Sequence, residues 1–162
     1  RKRKQMQLIP FEKNISHAIS YWSQQEEYRR FFCSFNKMLT KEEAERFPEI
    51  IGCEVLFIAI ENDIIGMVLL DDDSNRMTKF AILIDKSSWG KGFGSEALEK
   101  IEKYCSQIKK TRILFTHAFE KDEASNKELL KQNFIQMGKI QDFTFIKDGY
   151  ESVFYYYKLN KE

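Results

Sequence analysis

The stretch that decides the fold reads Ala81-Ile82-Leu83-Ile84-Asp85-Lys86-Ser87-Ser88-Trp89-Gly90-Lys91-Gly92-Phe93-Gly94-Ser95-Glu96-Ala97-Leu98. It opens as the end of an apolar, β-branched strand over 78–84 and closes in helical spacing. Between them, three glycines stand at alternate positions, 90, 92 and 94. Glycine permits positive φ and leaves room beside the backbone. Successive N–H groups in such a turn can converge on one anion. A helix beginning near Gly94 adds unpaired N–H groups and the positive end of its dipole. Lys91 adds a mobile positive charge. The turn therefore suits a diphosphate. It is not a Walker loop, because no Lys-Ser or Lys-Thr follows the last glycine. Nor is it a dinucleotide fingerprint: the spacing is G-x-G-x-G, and no second alternating β/α half follows. A tight connection using glycine only for packing is the competing reading.

Downstream of the turn, Ala97, Leu98, Ile101, Tyr104, Cys105 and Ile108 mark the inner stripe of a long helix. Arg112–Phe115 reads as a buried strand after it. Strand, helix and strand of this length imply a right-handed crossover and a parallel pair. Residues 122–132 form a weaker helix. Phe134–Ile146 and Tyr150–Leu159 make a closing hairpin around Asp148-Gly149. Upstream, Val55–Ile60 and Ile64–Leu70 flank the turn Glu61-Asn62-Asp63 as a second hairpin. Asp71–Asp73 with Ser74 and Asn75 reads as a solvated loop rather than a metal site. Thr40 and Glu43 have capping-box spacing and open a helix to Ile50 or Ile51. The stretch 14–37 is expected to hold two helices, with an aromatic stripe of Tyr28, Phe31, Phe32 and Phe35. Residues 7–11 form a first strand. The sum is a mixed α/β domain, largely antiparallel with one parallel step, expected to be a single domain over 1–162 with 1–5 flexible.

The bulk chemistry narrows the function classes. Lys and Arg number 26 against 25 Asp and Glu, giving a net charge of +1. No field that would attract nucleic acid is expected. Cys33, Cys53 and Cys105 are odd in number and widely spaced, without a CxxC or Cys/His ligand pattern. They read as reduced thiols of a cytoplasmic protein. No metal, membrane span or secretory signal is expected. A monomer or homodimer fits.

At the glycine turn the chain resembles the GCN5-related N-acetyltransferases, whose acetyl-CoA motif is Q/R-x-x-G-x-G/A after the fourth strand. The string WGKGFGSEAL is similar to the subgroup acetylating ribosomal-protein N-termini and polyamines. Glu123-Ala124-Ser125 through Phe134 resembles the family's N-x-A-S…GF segment. The resemblance implies acetyl-CoA as cosubstrate and a GNAT-like sheet splayed at the thioester. It implies pantetheine beside Ile82, Leu83 and Ile84, and phosphates at Trp89, Gly90, Lys91, Gly92, Phe93, Gly94 and Ser95. Asp122 and Asn126 complete the cofactor set. Two departures accompany it: Leu129 stands where many members carry the tyrosine that protonates the leaving thiolate, and Lys79 stands near a usual glutamate.

An amine attacking a thioester must first lose its proton, the developing oxyanion needs a backbone donor, and the thiolate needs a proton or a positive field. The donor is expected near Ile84. His117, expected just after the fifth strand, and Glu120 are candidate bases. Ser125 is a candidate partner of the thiol, and Tyr156 a candidate proton donor. Strand alternation sets Tyr156 opposite Tyr155 and Tyr157. Trp89 is expected to be a lid or core residue. The acceptor is a small-molecule amine or a protein N-terminal amine. Two other classes stay open: an acyl-CoA-binding module that has lost catalysis, and an ATP-binding protein using the glycine turn.

Overall fold

The computed structural model describes residues 4–33 and 37–160; Phe35 and the first three residues of the basic N-terminal run lie outside them. Seven strands are present among the described residues: β1 (Met6–Pro10), β2 (Glu54–Ile60), β3 (Asp63–Asp72), β4 (Met77–Ile84), β5 (Ile113–Phe119), β6 (Ile135–Ile146) and β7 (Gly149–Leu159). They form one sheet in the order β1-β2-β3-β4-β5-β7-β6. β4 and β5 run parallel, with Met77, Thr78 and Lys79 against Ile113, Leu114 and Phe115. β1 with β2, β2 with β3, β5 with β7, and β6 with β7 run antiparallel. The expected element order and the single parallel step are both observed. The step is bridged by α4 (Phe93–Gln107).

The chain divides into two compact units. One comprises Arg1–Asp71 and Ile82–Ile101, the other Asp72–Ala81 and Glu102–Glu162. The first is organised around a core of Ile19, Trp22, Phe47, Phe57, Met67 and Leu83, all nearly inaccessible. α1 (His17–Ser23) supplies Ile19 and Trp22 to it. Among the described residues, the second helix expected before residue 37 is not found. Glu26–Tyr28 is one 3-10 turn, entered from Gln25 in an extended conformation. Aromatic side chains are indifferent helix formers, and Tyr28 is instead fixed by tertiary contact: its hydroxyl accepts the Lys86 N–H at 2.9 Å. The capping box at Thr40 and Glu43 is present. The helix it opens stops at Glu45, and α3 (Phe47–Ile51) follows α2 (Lys41–Glu45) after a break at Arg46. Pro48 explains the break, since proline has no N–H for the preceding turn.

In the second unit, α5 (Glu123–Lys131) packs Leu129 inward, and Phe80 meets Phe134 edge-on at 5.9 Å. Leu114, Ala118, Val153 and Tyr156 are buried with them. Two expectations are corrected here. Ile108 lies beyond the end of α4 and is 67% exposed, so it is no part of the helix's inner stripe. β5 runs to Phe119, so His117 sits within the strand, paired with Tyr155, rather than after it. The turn expected over Asp71–Asn75 starts later, because Asp71 and Asp72 still belong to β3; Asp73 alone makes the Asx turn, its Oδ1 accepting the N–H groups of Asn75 and Met77 at 2.8 and 3.0 Å. Among the described residues no cluster suited to a metal ion occurs, and no helix is long and apolar enough to cross a membrane.

Candidate active site

In the first unit the site is built from the end of β4 and the turn that follows. A strand residue sends its N–H and C=O to one edge and the next residue sends its own to the other. The Leu83 carbonyl faces β3, where an added Cβ on Gly66 would lie only 2.1 Å from it. The Asp85 N–H also faces β3, donating to the Ile65 carbonyl at 2.7 Å. By alternation the backbone groups of Ile82 and Ile84 belong to the opposite edge. Of the three residues expected beside pantetheine, Ile82 and Ile84 thus present main-chain groups to that edge. Leu83 presents its own to β3 and buries its side chain in the core.

Asp85 ends the strand and holds the turn. Its carboxylate accepts from the Trp22 indole at 2.8 Å, the Ser87 hydroxyl at 2.7 Å and the Ser87 N–H at 3.0 Å. Burial pushes its pKa up, but these donors outweigh burial and hold it below the ordinary value. Trp89 is not a core residue: it is 50% exposed, its indole N–H donates to the Ile84 carbonyl at 2.7 Å, and it meets Tyr28 edge-on at 6.5 Å.

The glycines then separate by cause. Gly90 and Gly92 have φ of 77° and 80°, which L side chains rarely adopt. Gly94 does not; it lies in the first turn of α4. An added Cβ at any of the three would meet no protein atom within 4 Å. Packing therefore requires glycine at none of them, and for Gly94 neither packing nor a left-handed conformation does. The Glu96 amide bonds back to the Gly92 carbonyl at 3.2 Å. The amides of Phe93 and Gly94 open the helix, where N–H groups have no intrahelical acceptor. Lys91 is exposed beside them, and Phe93 and Ser95 are half-buried. These residues fit a diphosphate: open space, N–H groups, a helix start and a cation.

In the second unit, Asp122, Ser125, Asn126 and Tyr156 come together. Asp122 caps α5, accepting the Ser125 N–H at 3.1 Å and the Ser125 hydroxyl at 2.6 Å. Asn126 donates to the carbonyls of Phe119 and Asp122, each at 2.8 Å, and accepts the Tyr156 hydroxyl at 2.5 Å. That hydroxyl also accepts from Gln136 at 3.2 Å, and Tyr156 is fully buried. The alternation expected for the three tyrosines holds, since Tyr155 and Tyr157 are only half-buried. Glu120 is paired with Lys139 at 2.7 Å. His117 lies among Phe119, Phe143 and Tyr155, with ring centroids 5.6 to 5.8 Å away. Its Nδ1 is the one buried side-chain nitrogen or oxygen among the described residues that lacks a hydrogen bond. Burial, with the charge of Lys79 behind it, pushes its pKa down to about 4. Leu129 is buried and offers no proton.

Sequence reasoning did not find the Trp22–Asp85 anchor, the Tyr28 hydroxyl on Lys86, or the close approach at Gly66. A glycine inside the apolar run Ile64–Leu70 was the available signal for the last, and Asp85-x-Ser87 for an Asx turn.

The fold is thus a mostly antiparallel sheet with one parallel strand pair, bridged by a helix with a glycine-rich start. The profile of the Acetyltransferase (GNAT) domain matches residues 6–135. The chain belongs to that family, whose cosubstrate is acetyl-CoA. Similar solved structures include a spermidine N-acetyltransferase from Vibrio cholerae in complex with CoA and spermine. It is 18% identical, with 98% of this chain and 97% of that one covered and a TM-score of 0.88. An N-acetyltransferase from Staphylococcus aureus Mu50 is 18% identical over 97% and 99%, with a TM-score of 0.78. RimL, a ribosomal L7/L12 alpha-N-protein acetyltransferase in complex with CoA, is 14% identical over 97% and 95%, with a TM-score of 0.80. At these identities the likeness is one of fold. No curated protein matches the chain.

Proposed function

We propose that the chain acts as one cytoplasmic acetyltransferase domain, moving the acetyl group of acetyl-CoA to a primary amine by direct attack. One observation carries the reading: the turn from Gly90 to Gly94 opens onto free space at the start of α4, with no protein atom within 4 Å of a Cβ added at any of its three glycines. The amides from Lys91 to Ser95 would receive the diphosphate, with Lys91 as counter-charge and Trp89 and Gly90 shaping the approach. The Ile82 and Ile84 edge of β4 would pair with the pantetheine amides. The Ile84 N–H would face the thioester oxygen and stabilise the oxyanion.

The amine must arrive neutral, against an ordinary pKa of about 10.4 for a lysine-like group. His117 is uncharged at neutral pH, so it can accept a hydrogen bond from the amine; with so low a pKa it is a poor base. Loss of the amine proton then falls to water. Ser125 gives its hydrogen to Asp122, leaving lone pairs that can accept from a thiol S–H but no proton for a thiolate. Asp122, Asn126 and Tyr156 serve as the frame that holds Ser125. Glu120 is engaged by Lys139 in a half-exposed ion pair and would act as the base only when that pair opens. The acceptor is a small-molecule amine or a protein N-terminal amine, handled by a monomer or homodimer without nucleic acid.

Buried Leu129 and the buried Tyr156 hydroxyl favour a second reading, an acyl-CoA-binding module without turnover. Thiol release from acetyl-CoA separates the two. Release that depends on spermidine, an amino sugar or a peptide N-terminus supports transfer. Tight CoA binding with no release across that panel supports the module.

A further inference from the structure

The Ile84–Asp85 peptide is held at both ends. Its N–H donates to the Ile65 carbonyl at 2.7 Å on the β3 side, and its C=O accepts the Trp89 indole at 2.7 Å on the other. The donor is a tryptophan that leaves half its surface exposed, which the core does not need. The register with β5 ends at Lys79, five residues before Ile84, so a strand partner does not account for that carbonyl. Trp89 is itself steadied from within the unit. Tyr28, 6% exposed and pinned through its hydroxyl to the Lys86 N–H, meets the indole edge-on. The Trp89 N–H returns to the Lys86 carbonyl at 3.1 Å.

Ile84 sends its N–H and C=O to the same edge. The Ile84 N–H lies in the Leu83–Ile84 peptide, whose carbonyl faces Gly66 on the β3 side, and the clamped carbonyl lies in the next peptide; with both planes held, Ile84 cannot swing its N–H out of line. We infer that Trp89 is a positioning residue for acetyl transfer: its indole clamps the Ile84 carbonyl and so orients the Ile84 N–H that meets the thioester oxygen. This rests on the acetyl-CoA reading of the β4 edge. The clamp does not touch the reacting atoms. It acts by preorganisation, which removes reorganisation from the moment of reaction. A glutamine side chain has the same number of bonds from Cα to its N–H donor as tryptophan has to Nε1, and it can take over the clamp; phenylalanine keeps a ring but has no donor.

Two variants, Trp89→Phe and Trp89→Gln, test this in the intact chain by two readouts. In free protein, the carbonyl carbon resonance of Ile84 reports its hydrogen bond. It shifts upfield in Trp89→Phe and returns towards the wild-type position in Trp89→Gln. In acetyl-CoA turnover, read as thiol release with spermidine, with a free tripeptide amine and with water alone, Trp89→Phe loses about 10- to 100-fold in kcat. Its KM for acetyl-CoA and its calorimetric affinity for CoA stay within about 3-fold, because the phosphate turn is intact. Trp89→Gln recovers most of the lost kcat. An Ile84 carbonyl unmoved in Trp89→Phe, or a loss confined to KM, or equal loss in both variants, overturns the clamp while leaving the acetyl-CoA reading standing. Wild-type protein that neither binds CoA nor releases thiol in any arm overturns both.

Discussion

His117 shows how one buried group carries a pH signature. Its folded pKa, pushed to about 4, lies below the ordinary value of 6.5, so the unfolded chain binds a proton that the folded chain refuses. Stability is then fully present above about pH 6.5 and falls as the pH drops towards 4, by about 1–3 kcal/mol. Urea unfolding across that range should show the slope, and His117→Phe, which suits the aromatic surroundings, should flatten it. Asp85, Glu27 and Glu43 are held low, so their contributions are lost as the pH falls below ordinary values of 3.8 and 4.5, starting at the acid end of the His117 window. Tyr156 belongs to the same scale. Its hydroxyl is spent on Asn126, so Tyr156→Phe should lower stability by about 1 kcal/mol and leave kcat within about 3-fold. A drop in kcat matching loss of the thiolate's proton donor would contradict that. Alternation along β7 made it legible that Tyr156 faces away from Tyr155 and Tyr157, but not which face is buried. Nor was the partner of its hydroxyl legible, because Asn126 lies 30 residues away and only the packing of α5 brings it there. The same holds for Trp89. Its position in the glycine turn was readable, whereas its bond to a carbonyl five residues back depends on the path of the 3-10 turn over Lys86–Ser88.

Among the elements, β4 is the one on which the account leans. It is placed from the β3 side, where the Leu83 carbonyl sits against Gly66 with no room for a methyl group. Gly66→Ala would bring a Cβ to 2.1 Å from that oxygen and 3.3 Å from Ile58 Cδ1, and backbone must move to relieve it. Overpacking of this kind costs about 1–3 kcal/mol, and the displaced strand should weaken CoA binding as well. Denaturation and calorimetry on one preparation check both effects. Helix and strand periodicity made most elements legible. It failed where a single residue or a tertiary bond intervened. Pro48 split one helix, the Tyr28 hydroxyl replaced another with a 3-10 turn, and β5 ran past its apolar stretch because pairing with β7 continues through His117 to Phe119.

For the molecule as a whole, the chain order of strands and helices determined the architecture. A helix of the length of α4 between two strands admits a parallel crossover, and that one step in an antiparallel sheet sets the fold apart. The glycine turn stands at the start of that helix, and acetyl-CoA recognition there is the claim on which the proposed activity depends. Calorimetric titration of CoA into the wild type and Gly94→Glu, with thermal unfolding of both, tests it most directly. Glutamate is the better helix former, a carboxylate suits a helix's first turn, and the added Cβ meets no protein atom within 4 Å, so the variant should melt no lower than the wild type. It should nonetheless bind CoA at least about 10-fold more weakly, a negative charge having entered the diphosphate's space. Equal affinity in the two proteins, or no CoA binding by the wild type, would contradict it.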